Sequence, residues 1–170
     1  MKISMHALSV DLFAPALGNL SSVLQKAAAS AAQRKFEPGV LLAARLAPDM
    51  LPLTRQVQIA ADIAKNSVAR LAAQEPPRFE DTETTIEQLQ ARLARTIDFL
   101  TSVPASVLEG SETRDIRLPT GGGRTLEFKG LEFLQRWAIP NVFFHVTTAY
   151  DILRHNGVEL GKRDFLGSGT

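Results

Sequence analysis

Apolar positions recur along this chain with two different periods, and the change from one to the other divides it into elements. From Ser4 to about Lys35, Met5, Leu8, Leu12, Ala16, Val23 and Ala27 follow helical spacing, and alanines fill the end, which predicts a long first helix. Pro15 lies inside it and should bend or divide it, because proline lacks the N–H and crowds the preceding turn. Glu37-Pro38-Gly39 breaks the chain, and Val40 to Leu46 reads as a short helix or turn.

A second long helix is expected after Ala47-Pro48-Asp49, running to about Ala73. At 100° per residue Leu53, Val57, Ala60, Ala64 and Leu71 share one face, and Asp49 and Gln56 fall on that apolar side. Arg55, Gln58, Asp62 and Lys65 lie opposite, on the face expected to meet water. Pro76-Pro77 ends this helix. The third starts at a capping-box pattern, Thr84 with Glu87 three residues on, and buries Ile86, Leu89, Leu93, Ile97 and Leu100. Between Val103 and Gly130 the period becomes alternating, with Ile116 and Leu118 before Gly121-Gly122-Gly123 and Leu126 and Phe128 after it, which predicts a β-hairpin. A fourth helix runs from near Leu131 to about His155, kinked at Pro140, and Asn156-Gly157 supplies left-handed residues to end it. Four long amphipathic segments with short connections make an all-α four-helix bundle carrying one small β-hairpin, expected as a single domain over residues 1–170.

Composition narrows the function classes. With 45% hydrophobic and 22% charged residues the chain can bury a sizeable core. Nineteen basic against 18 acidic residues leave a net charge of +1, too little field to attract nucleic acid or an anionic membrane surface. Cysteine is absent, so any metal would take nitrogen and oxygen ligands, and a reducing cytoplasm is compatible. Asp11 interrupts the stretch where a signal peptide would need its apolar run, no segment approaches the roughly 20 apolar residues of a membrane span, and a cytoplasmic location is the default expectation.

Candidate chemistry centres on His145. Helical periodicity sets Leu131, Leu134, Ala138, Val142, Ala149 and Ile152 within about 60° of it, with Asn141 and Thr148 on the same face. The imidazole therefore points into the bundle, where it needs a hydrogen-bond partner, and Asn141 one turn earlier is a natural one. It serves either as a core histidine satisfied by local polar groups or as a metal ligand or general base, with Asp49 and Gln56 facing the same space. Asp49 also sits where an N-cap would. The other two histidines are less placed: His155 is at a helix end, and His6 could reach the interior or a partner surface. The triple glycine lacks a following helix and a Gly-Lys-Ser/Thr ending, so it reads as a hairpin turn rather than a phosphate loop. In the tail from Val158 to Thr170, Phe165 and Leu166 are expected to dock on the bundle or on a second subunit.

Arg45-Leu-Ala-Pro-Asp-Met50 with Gln56-Val-Gln-Ile-Ala60, Phe79-Glu-Asp-Thr-Glu-Thr84, and the block from Pro140 to Gly157 with Gly161 to Gly167 carry a resemblance. The chain resembles the DinB/YfiT-like superfamily of metalloenzymes, in a bacterial branch known only as a domain of unknown function. The resemblance implies a four-helix bundle, commonly a homodimer, in which many members hold a divalent metal such as zinc or nickel through three histidines, one from the second helix and two from the last. Here no histidine lies between Asp49 and Gln56, and Asn141 and His145 stand at the paired positions. A residual set of Asp49, Asn141 and His145 is poor for zinc or nickel. The expectation is therefore a binding or structural protein with an altered pocket and no cofactor. The alternative is a metal-dependent, thiol-transferase-like enzyme using His145.

Overall fold

The computed structural model describes residues 3–119 and 121–167. Its helices are α1 (Val10–Arg34), α2 (Gly39–Ala43), α3 (Leu53–Leu71), α4 (Ile86–Ser102), α5 (Ala105–Leu108), α6 (Gly130–Phe133), α7 (Ile139–His155) and α8 (Lys162–Leu166). A π-helical segment, Leu134–Ala138, joins α6 to α7. Strands β1 (Asp115–Pro119) and β2 (Thr125–Lys129) pair antiparallel, Ile116 opposite Phe128 and Leu118 opposite Leu126. The chain is thus mostly helical with one small hairpin, as its periodicities predict.

The long helices close a ring: α1 packs on α4 and α7, and α3 packs on the same two. Phe13, Leu17, Leu20 and Leu24 from α1 meet Leu89, Leu93 and Leu100 from α4 and Val142, Ala149 and Ile152 from α7, all in one apolar cluster. The small side chains Ala60, Ala61 and Ala64 on α3 let α7 come close, and this pair forms the most extensive interface of the bundle.

Several boundaries differ from the expected ones for local reasons. Residues 4–9 form hydrogen-bonded turns rather than the first turns of α1, with the Ser9 hydroxyl donating to the Met5 carbonyl at 2.7 Å. Pro15 does not divide α1, because it lies on the exposed face, where water can take the carbonyl that it leaves without a donor. The second long helix starts only at Leu53, after Pro52. Asp49 sits exposed in a turn closed by Met50 N–H on the Ala47 carbonyl, so it caps nothing. The capping box of α4 is Thr85 with Gln88, one residue beyond the Thr84 and Glu87 of the sequence pattern.

Pro140 acts through the segment before it. Its ring would collide with the Arg136 carbonyl four residues back in a regular α turn, and the wide π turn removes that clash, with Ile139 N–H reaching the Leu134 carbonyl. At the other end Gly157 alone takes the left-handed conformation (φ 83°), and Val158 N–H closes the helix on the Leu153 carbonyl. The tail then folds back as α8 onto α1: Asn19 donates to the Phe165 carbonyl, Lys26 pairs with Asp164 at 2.6 Å, and Phe165 stacks edge-on against Tyr150. Leu166 stays exposed, and the last three residues of the tail lie outside the described residues.

Candidate functional site

His145 lies half-buried on α7, facing α3. Its partner is not Asn141 but Gln56, which is 2% exposed; His145 Nδ1 and Gln56 Oε1 are 2.7 Å apart. The amide is oriented by its other end, since Gln56 Nε2 donates to the Leu51 carbonyl at 2.9 Å, and a carbonyl can only accept. Oε1 is therefore the acceptor, and the imidazole donates from Nδ1 and carries its lone pair on Nε2. Burial lowers the His145 pKa from its ordinary 6.5, which favours this neutral form. Nε2 has no hydrogen-bond partner among the described residues, and the Phe144 ring stands edge-on to the imidazole with centroids 5.2 Å apart. Phe144 is itself 55% exposed, and Leu51 is exposed across the α3 seam.

The remaining candidates turn away from His145. Asn141 Nδ2 donates to the Trp137 carbonyl at 2.7 Å, and Thr148 Oγ1 donates to the Phe144 carbonyl at 2.7 Å, so each is tied to its own helix one turn back. Asp49 is exposed in its turn. Gln56 Oε1, the one α3 oxygen at the imidazole, is already occupied by it. Among the described residues no three of His, Asp, Glu or Cys gather closely enough to hold a metal ion. The groups that do meet are one imidazole and one neutral amide, a set without the charge or number that a divalent ion needs. His155 is exposed at the end of α7, and His6 pairs with Asp11 at 3.1 Å, on the first turn of α1.

A second polar centre has no counterpart in the sequence reading. Arg92 of α4 is wholly buried and faces three carboxylates: Nη2 lies 2.9 Å from Asp62 and 3.0 Å from Asp81, and Nη1 donates to Glu83 at 3.0 Å and to the Glu80 carbonyl at 3.1 Å. The Nη2 contacts are ion pairs without directed hydrogen-bond geometry, and Nε has no acceptor. Gln58 donates to Glu83, Lys65 pairs with Asp62, and Arg55 pairs with Asp81. The Phe79 ring receives Lys65 at 4.2 Å and Arg95 at 4.6 Å. The connection 72–85 thereby covers the face of α3 expected to meet water, leaving Gln58 2% and Lys65 3% exposed. One signal was present: Arg92 sits between Leu89 and Thr96 in helical phase, on the apolar stripe itself.

Over residues 5–166 the chain matches the model of a family described as Domain of unknown function (DUF1993). No curated protein matches it. It is also similar to a solved structure described as the crystal structure of a DinB family member protein from Shewanella denitrificans, with a TM-score of 0.90 and 44% identity over 96% of this chain and 92% of that one. The match spans nearly the whole chain in both comparisons, and the chain belongs to the DUF1993 family of DinB-like proteins.

Proposed function

We propose that this chain is a binding protein rather than a metal-dependent enzyme, and that His145 offers its ligand a single neutral acceptor. The observation that carries this reading is the Gln56–His145 hydrogen bond. It fixes the tautomer, occupies the Gln56 oxygen, and leaves Nε2 of an imidazole that stands against the Phe144 ring without a protein partner among the described residues. A group with an N–H or O–H attached to an apolar or aromatic body matches that surface. The metal-dependent alternative needs at least two further ligands, and Asn141 and Asp49 are the residues it would have to recruit; the first is held by the Trp137 carbonyl and the second is exposed.

Nitrogen-detected NMR of the imidazole tests the proposal directly. At pH 7 His145 is expected as the neutral Nδ1–H tautomer, titrating below the ordinary 6.5, and Gln56→Leu should release that preference. Elemental analysis of untagged protein supplies the opposing result. Near one equivalent of zinc or nickel, lost in a folded His145→Ala variant, would replace this reading with the enzyme.

A further inference from the structure

The largest cavity described, about 630 Å³, is not at His145, and its size falls in the range of about 300–1,000 Å³ typical of small-molecule sites. It opens where the N-terminal turns, α5 and the start of α6 meet. Leu131, on its wall, precedes His145 by 14 residues of one helical run, about 20 Å along the axis at 1.5 Å per residue. The two places are separate.

Its walls are built. Residues 4–9 are held by Leu8 N–H on the Ser4 carbonyl and Ser9 Oγ on Met5, and the far side by the buried Ser111 hydroxyl donating to Leu108 at 2.7 Å. Gly130 lets α6 close on that side, because a Cβ there would stand 1.9 Å from the Ser111 carbonyl oxygen. Leu8, Leu108 and Leu131 give the cavity an apolar lining. Its carboxylates are Glu109 and Glu112, which have neither a hydrogen bond nor an ion pair, and its imidazole is His6, turned by its contact with Asp11; among the described residues no lysine or arginine lines it. Two uncompensated carboxylates at an apolar cleft call for the opposite charge on an apolar body.

The geometry points to a binding site for a small apolar amine, its ammonium held between Glu109 and Glu112 and its hydrocarbon or aromatic part against Leu8, Leu108 and Leu131. An isotope-labelled chain titrated with phenethylamine at pH 7, and separately with 3-phenylpropionate, tests this. The amine is expected to shift residues 3–8, 105–112 and 131 saturably and to bind at least about tenfold more tightly than the anion. The Glu109→Gln/Glu112→Gln variant should lose at least about tenfold in amine affinity with an unchanged melting curve, because Glu109 is exposed, Glu112 is partly exposed, and neither side chain pairs with another group. His145→Ala should leave the amine affinity as it was, so this site and the His145 reading stand or fall separately. Equal binding of the anion, shifts elsewhere, absence of saturation, or full affinity in the double glutamine variant would each overturn the assignment.

Discussion

Arg92 shows how far a single side chain can organise its surroundings. Desolvation lowers its pKa, yet its hydrogen bond to Glu83 and the charges of Asp62, Glu83 and Asp81 more than restore it, and the net shift is upward. Removing a buried charge leaves its partners uncompensated, which costs about 3–5 kcal/mol. Arg92→Ala is therefore expected to lower the unfolding free energy by about that amount, measured by denaturant titration, while Arg95→Ala, which loses only a ring contact, should cost about 1 kcal/mol. A loss below 1 kcal/mol in Arg92→Ala would remove this account. The same residue marks a limit of periodicity. An arginine on an apolar stripe reads as an interruption, and its partners come from positions 62, 81 and 83, which no local pattern links to it. For His145 the sequence offered Asn141 as the partner, with Asp49 and Gln56 toward the same space; it is Gln56, 89 positions away, that meets the imidazole, while Asn141 satisfies itself on its own helix.

At the scale of elements, the four long helices and the hairpin were readable because each carries its own period over many residues. What was not readable is the connection 72–85. Without a period of its own it counted as a link, and the α3 face beneath it as solvated, although Phe79, Asp81 and Glu83 cover that face. This connection should respond to acid. Desolvation raises the carboxyl pKa values of Asp81 and Glu83, but Arg55 and Arg92 for the first, and Gln58 and Arg92 for the second, hold both below their ordinary values. A folded pKa below the unfolded one contributes stability that is complete above about 4 and disappears as pH falls through the folded values. Amide hydrogen exchange across residues 72–85 is expected to quicken below about pH 4, ahead of the helix centres. Uniform exchange along the chain in that range would contradict it.

The whole molecule presents near-neutral charge, and none of its described helices is long and apolar enough to cross a membrane. One expectation for the assembly comes from the DinB resemblance, a homodimer. The tail supports it less than the sequence implied, since Phe165 is spent on Tyr150 of the same chain. Exposed Phe144, Leu51 and Leu46 offer another surface. Light scattering at micromolar concentration is expected to give twice the 18.5 kDa chain mass, falling toward one chain in Phe144→Ser; a monomeric parent protein would end the dimer expectation. The π segment bears on the molecule in a different way. A wide turn absorbs one residue, and one residue of α-helix is worth roughly 100° of rotation, so side chains before Leu134 are out of step with those after Ala138. Leu131 and His145, which a uniform count aligns, look in different directions. One unbroken shaft in this way carries two faces out of phase, the cavity wall at Leu131 and the Gln56 contact at His145, and deleting a single residue between 134 and 138 is expected to turn one of them away from its partners.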